Sequence, residues 1–331
     1  MKHSKILYIV LLLLLLLPVY ALFATKGKRF VVNVAFCLLM FSLCFLILQP
    51  FLNKISLSLM SPSDLADSTV ISVPKLPTLE NFKFAWELLK YEISMPYTAV
   101  LSLITGLLQT ASSFLVGYGF ARYKFPLKKF WFACVILMIV LPVQSYSISL
   151  FLNFRFFDVL GIFKATTGAP LNLIGTPIPQ FLMAMTATGL KNGLYIYLFY
   201  QHFRGVPKDL EEAAYLDGCG TVRTLFQVML PDAIPLVVSC MLFAFVWQWT
   251  DHQFTNLLLS SDHYLATLLL KVGSMVGTAG GNMAGLGVST GMYADCLTAT
   301  ATLLMLIPVV TIYLIGQRKF VESLSFSGVK M

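Results

Sequence analysis

Seven stretches of this chain are long and apolar enough to cross a bilayer as helices, and that feature dominates everything the chain can fold into. A hydrocarbon core of about 30 Å needs about 20 apolar residues as helix. The stretches are Ile6 to Phe23, Phe30 to Leu48, Tyr97 to Ala121, Phe130 to Leu152, Ile178 to Phe203, Ala233 to Leu259 and Tyr293 to Gly316. Composition agrees. A soluble chain of 331 residues would make two domains, but 58% hydrophobic and 11% charged residues, with a mean hydropathy of +0.81, leave too little polar surface for a water-soluble globule. The expected class is an all-α polytopic membrane protein.

Net charge is +8, and in a membrane protein such an excess sits in loops on one side rather than gripping nucleic acid. The basic residues gather at Lys26, Lys28 and Arg29, at Arg122, Lys124, Lys128 and Lys129, from Arg204 and Lys208 to Arg223, and at Arg318, Lys319 and Lys330. These mark the cytoplasmic sides, so the last six spans run with both ends inside. The segments Pro50 to Pro96, Asn153 to Pro177 and Ser260 to Met292 fall outside. Lys2, His3 and Lys5 balance the charge around the first stretch, which resembles a signal sequence as well as a span; the poor small-x-small site at Tyr20 to Thr25 favours an extra helix. In the first outer segment, Phe82, Trp86, Leu89 and Ile93 recur at helical spacing, predicting an interfacial helix that packs over the tops of the spans. The six cysteines form no CxxC pair and fall mostly in apolar runs, as small core residues do.

The cytoplasmic segment from Val206 to Pro231 has a distinct pattern. Pro207 suits a first helical turn, Asp209, Glu211 and Glu212 complement the positive end of a helix dipole, and Gly218 with Gly220 supplies a left-handed break before a second short helix. Pro231 is expected to end that helix where the next span begins.

Glu212-Ala213-Ala214, three residues, Gly218, nine residues, then Val228-Met229-Leu230-Pro231 resembles the EAA loop of binding-protein-dependent ABC importer permeases, with Val228 where the family usually has Ile. An ordinary amphipathic hairpin explains the composition but not this spacing. Tyr118 to Pro126, Gln201 to Pro207, and Gln317 to Glu322 with Gly328 to Lys330 are similar to further signatures of the carbohydrate branch, in the manner of a maltose-type second permease. The resemblance covers roughly residues 30 to 331 and implies a six-helix core, a permease domain, with residues 1 to 29 as an extra N-terminal helix and basic linker. It implies an ATPase-coupling contact made by Glu211, Glu212, Ala213, Ala214, Asp217 and Gly218. The implied partners are a second permease, two ATPase subunits that bind ATP and Mg, and an extracytoplasmic solute-binding protein, all at a bacterial cytoplasmic membrane.

No GxxxxGK followed by Ser or Thr occurs, so a P-loop motor must reside on another polypeptide. HExxH and GxSxG are also missing, and His3, His202, His252 and His263 lie in different segments, which leaves nothing from which to build a hydrolase or metal site. Polar groups inside the bilayer then point to a pathway. Lys191 lies about 18 Å before the inner end of its stretch by helical rise. Asn192 and Tyr195 adjoin it, and Trp247, Gln248 and Asp251 gather on the following stretch. Aromatic faces cover the C–H surface of a sugar while amides and charges bond its hydroxyls, and a lysine could also favour an acidic sugar. Two plainer accounts stay open: Lys191 and Asp251 pair with each other, or the tryptophans anchor an interface belt. The partner permease could also be the one that touches the sugar. Seven glycines between Gly273 and Gly291 make either a contact to the binding protein or a flexible linker. A non-sugar cargo, or an ion-driven secondary carrier without a docking loop, are the rival functions.

Overall fold

The computed structural model describes residues 28–158, 161–259, 263–279 and 289–328. The first apolar stretch, and Gly280, Gly281, Gly285 and Gly287, lie outside them. The described chain is helical: α1 (Lys28–Ser58), α2 (Pro62–Ala66), α3 (Glu80–Leu88), α4 (Tyr91–Arg122), α5 (Lys128–Val140), α6 (Ser147–Arg155), α7 (Ile162–Thr167), α8 (Ile178–Met185), α9 (Asn192–Gly205), α10 (Asp209–Leu216), α11 (Thr221–Thr250), α12 (Leu265–Ala279) and α13 (Thr290–Gly328). Among the described residues, α1, α4, α11 and α13 are each long and apolar enough to span a membrane unbroken. The stretches Phe130 to Leu152 and Ile178 to Phe203, expected as single helices, are each interrupted. The first becomes α5 and α6 and the second α8 and α9.

α1 runs through Pro50 to Ser58, well past the expected outer boundary. Phe41, Leu46, Ile47 and Phe51 are exposed along it, as an outward face toward acyl chains should be. Cys37 and Cys44 share that exposure, whereas Cys240 and Cys296 are the buried small residues expected of all six. The last carbonyls of α1 have no helical partner. Asn81 supplies it, donating from Nδ2 to Ser58 O at 2.9 Å and Met60 O at 2.8 Å. Asn81, Ala85 and Leu89 face inward, so of the expected face Leu89 is buried and Phe82 half-buried against the core, while Trp86 is exposed and Ile93 falls beyond α3, exposed on α4. α3 nevertheless lies over α13, as a covering helix should. In the loop before it, Lys75 and Thr69 donate to Asp67, holding that carboxyl well below the usual carboxylate range.

α4 is the central element and packs on α9, α11 and α8. Its contact with α9 is a ring stack in which Phe114 meets Phe199 and Phe203 edge-on and Tyr118 meets Phe203. Gly117 makes this approach possible: a Cβ there would stand 2.5 Å from Phe199 Cβ and 3.0 Å from Ile196 O. On the other side, Trp249 Nε1 donates to Met305 O at 3.1 Å and Tyr91 Oη to Leu304 O at 3.2 Å. Pro308 has no N–H to offer Leu304, and the tyrosine fills that vacancy.

Gly117→Ala forces overpacking that costs about 1–3 kcal/mol. It should lower the thermal midpoint of the detergent-purified protein, whereas Gly119→Ala, with nothing within 4 Å of the new Cβ, should lower it far less.

Candidate functional site

Two spans give way at similar depth. α5 has 13 residues and α9 has 14, so each break stands about 20 Å from the cytoplasmic end of its span, beyond the middle of the bilayer. Irregular backbone at such depth is tolerated where protein buries it or water reaches it. The second break is buried in part. Ala187 (φ 58) is buried, and Thr186, Thr188 and Lys191 (φ 63) are exposed. Left-handed backbone at alanine and lysine is uncommon and persists only where surroundings hold it. Asn192 provides the hold. Its Nδ2 lies 2.9 Å from Ser113 Oγ, 3.3 Å from Ser112 Oγ and 3.3 Å from Gln109 O, which pins the start of α9 to α4. Gly193 lets α9 lie against α5, since a Cβ there would meet Val135 O at 3.0 Å.

The residues expected along a path separate by position. Lys191 and Trp247 come together at the surface, with Nζ 4.8 Å from the indole centroid, a cation–π contact. Asn192 and Tyr195 are fully buried and Gln248 nearly so. Tyr195 Oη and Gln248 Nε2 have no hydrogen-bond partner among the described residues. Asp251 does not pair with Lys191. Its carboxylate accepts from Thr255 N at 2.9 Å, Thr255 Oγ1 at 3.0 Å and Phe254 N at 3.3 Å, capping the turn after α11. The apolar stretch Ala233 to Leu259 therefore stops being α11 at Thr250.

At the cytoplasmic end the chain passes from α9 through Val206, Pro207 and Lys208 into α10. Glu212, Ala213, Asp217 and Gly218 are exposed, together with Leu216 at 90%. Ala214 and Glu211 are buried against the protein's own spans. Gly218 has φ +80, the left-handed turn expected of it, but Gly220 is extended and caps the next helix. Nor does Pro231 end that helix. Thr221 to Thr250 is continuous because a π-turn at Leu225–Met229 sends the Leu230 N–H to Leu225 O and absorbs the missing proline donor.

Arg122 is the functional residue that sequence reasoning missed. It ends α4, its Nε lies 3.1 Å from Glu211 Oε1, and its Nη2 donates to Val206 O at 3.0 Å. The two side chains are 6% and 10% exposed. The angle between Nε and Oε1 makes the contact an ion pair without a well-formed hydrogen bond. In the sequence, Arg122 counts as part of an inner-face basic cluster and of the Tyr118 to Pro126 segment, but its partner 89 residues away leaves no local signal. No group of three or more His, Cys, Asp or Glu residues suited to a metal occurs among the described residues.

Residues 113–325 match the family described as binding-protein-dependent transport system inner membrane component. That is more than half of the chain, and the chain belongs to this family: it is a multi-pass transport subunit of the cytoplasmic membrane. A probable ABC transporter permease protein of Pyrococcus horikoshii is 26% identical over 214 residues, which take in 63% of this chain and 65% of that one, just under two thirds of its length. The arabinooligosaccharides transport system permease protein AraQ of Halalkalibacterium halodurans is 25% identical over 291 residues, 87% of this chain and 93% of the relative. Among solved structures, a bacterial ABC transporter involved in the import of the acidic polysaccharide alginate has the same fold, with a TM-score of 0.62 at 16% identity, covering 90% of this chain and 99% of that one.

Removing the Asp251 cap tests the break after α11. Asp251→Ala should cost about 1 kcal/mol and lower the thermal midpoint. Asp251→Asn, which keeps an acceptor for the Thr255 and Phe254 amides, should leave the midpoint near the parent value.

Proposed function

We propose that this chain is the membrane-spanning half of an ATP-driven importer for sugars or oligosaccharides. The observation that carries the reading is α10, a short helix presented on the cytoplasmic face with Glu212, Ala213, Leu216, Asp217 and Gly218 turned outward. Ala213 and Gly218 let another protein approach closely beside the exposed Leu216, and the left-handed Gly218 completes the turn after the helix. The partner is an ATPase subunit in two copies, which holds ATP and Mg. A second permease completes the pore, and an extracytoplasmic solute-binding protein delivers the cargo. ATP-driven closure of the ATPases brings the two docking helices together and rocks the spans from inward-open to outward-open. The chain itself makes and breaks no covalent bond.

A saccharide cargo is supported by AraQ, whose name specifies arabinooligosaccharides, and by the chemistry at the second break. There Lys191 and Trp247 set a donor beside an aromatic face, the pairing that a hydroxyl-covered ring with apolar C–H patches requires. Asn192, Tyr195 and Gln248 act behind this surface, shaping it from within, and Asp251 fixes the end of α11.

Two measurements test these assignments. In proteoliposomes containing the complete importer, Gly218→Trp should abolish both the ATPase stimulation by loaded binding protein and uptake, while the spans remain folded. If the chain copurifies with no ATPase, or if the variant transports normally, the importer reading fails. Lys191→Gly keeps the left-handed turn but deletes the ammonium, and Trp247→Ala deletes the ring. Each should lower saccharide uptake about two- to thirty-fold, the range spanned by a cation–π contact of about 0.5–2 kcal/mol. Unchanged uptake at full expression would remove both residues from the path.

A further inference from the structure

The buried pair at the cytoplasmic end of α4 has a function of its own, distinct from the outward docking surface. We propose that Arg122 and Glu211 are positioning residues that lock the docking helix to α4, so that a push on α10 reaches the centre of the bundle directly. The inference rests on the importer reading above and specifies how its motion is transmitted.

Three parts of the protein meet on one guanidinium. Arg122 is the last residue of α4. Its Nη2 donates to the carbonyl of Val206, the residue that terminates α9, and its Nε faces Glu211 in the first turn of α10. Between α9 and α10 lie only Val206, Pro207 and Lys208, a joint about which α10 would otherwise turn. Arginine suits this position because its rigid fork offers several donors in fixed directions, which a lysine ammonium cannot reproduce. Both side chains are almost wholly withdrawn from water, so rotating α10 away from α4 would strand two opposite charges in a poorly hydrated place. The adjacent acids thereby divide two tasks. Glu212 points outward and is free for the ATPase, while Glu211 points inward and is spent on the protein's own span.

Without the lock, force on α10 would pass along the chain into α9 and α11 and through the packing of α10 on the first turns of α11. With it, force also enters α4, which packs on α8, α9 and α11 and is bonded to the break at Asn192. The pair therefore determines how much of each ATP-driven stroke reaches Lys191 and Trp247.

The decisive quantity is solute imported per ATP hydrolysed, measured in the same proteoliposomes with ATPase subunits and binding protein present. Arg122→Gln and Glu211→Gln should each lower that ratio about five-fold or more, the lower end of an ordinary coupling energy, with ATPase subunits still bound and still hydrolysing. Arg122→Lys, which restores the charge but not the fork, should fall between them and the parent. Should the single variants fail to assemble because one buried charge is left unpaired, the neutral double variant Arg122→Gln/Glu211→Gln removes that cost and should still show the lowered ratio. A parental ratio in the assembled variants, or uptake and hydrolysis falling in equal proportion, overturns the lock. If the unmodified chain shows no ATP-dependent uptake, the importer reading itself falls; parental transport with indifferent variants removes only the lock.

Discussion

Inside a bilayer every backbone N–H and C=O must find a partner within the protein, and four departures from regular helix here are each matched to a local feature that answers this need. Pro308 leaves Leu304 O short of a donor, and Tyr91 donates to it. Pro231 cannot donate within its helix, and a π-turn resets the ladder just before it. α11 stops at Thr250, and the Asp251 carboxylate takes up the amides of Phe254 and Thr255. Asn192 binds the chain that reopens after the left-handed Lys191. The break before α9 and the stop after α11 are thus each fixed by specific hydrogen bonds.

That requirement also explains why polar residues near the site divide into two groups. A group that satisfies the backbone must be held in place, as the fully buried Asn192 and the half-buried Asp251 are. Lys191 and Trp247, the residues proposed to meet a passing solute, are accessible instead. Both kinds occur side by side in the sequence, at 191 and 192 and again at 247 and 251, so adjacency along the chain says nothing about which task a residue performs. The docking helix repeats the pattern with Glu211 and Glu212, whose side chains emerge on different sides of one short helix.

The long apolar runs and the spacing around Glu212, Gly218 and Pro231 made the helical class and the family legible. The breaks were not, because mean apolarity over about 20 residues is insensitive to whether the helix continues through it. Pro142 was a visible warning in the third unbroken stretch of the core. Gly189 and the Asn192-Gly193 pair were the corresponding warnings in the next stretch, although the left-handed backbone itself falls on Ala187 and Lys191, neither of a type that favours it. The face of α3 was partly misjudged, and for a different reason. Apolar spacing ranks Trp86 above Asn81, but the unpaired carbonyls at the end of α1 made the amide the more valuable residue to bury. Arg122 and Glu211 show the remaining gap, since a pair formed across two packed helices follows from tertiary structure and has no periodicity.

The two ends of the docking helix are built differently, and the difference has a mechanical meaning. Toward α11 the chain turns at Gly218, where the left-handed backbone is unhindered and nothing surrounds the missing Cβ, and then enters a helix that runs unbroken to Thr250. Toward α9 it turns at Val206 to Lys208, where the ring of Pro207 and the guanidinium of Arg122 restrain it. The first joint is closed by backbone hydrogen bonds, Gly218 N–H to Tyr215 O at 3.0 Å and Cys219 N–H to Ala214 O at 2.9 Å, and the second by a side-chain brace, so in the lock proposed above a displacement of α10 reaches α11 through the chain and α4 through Arg122.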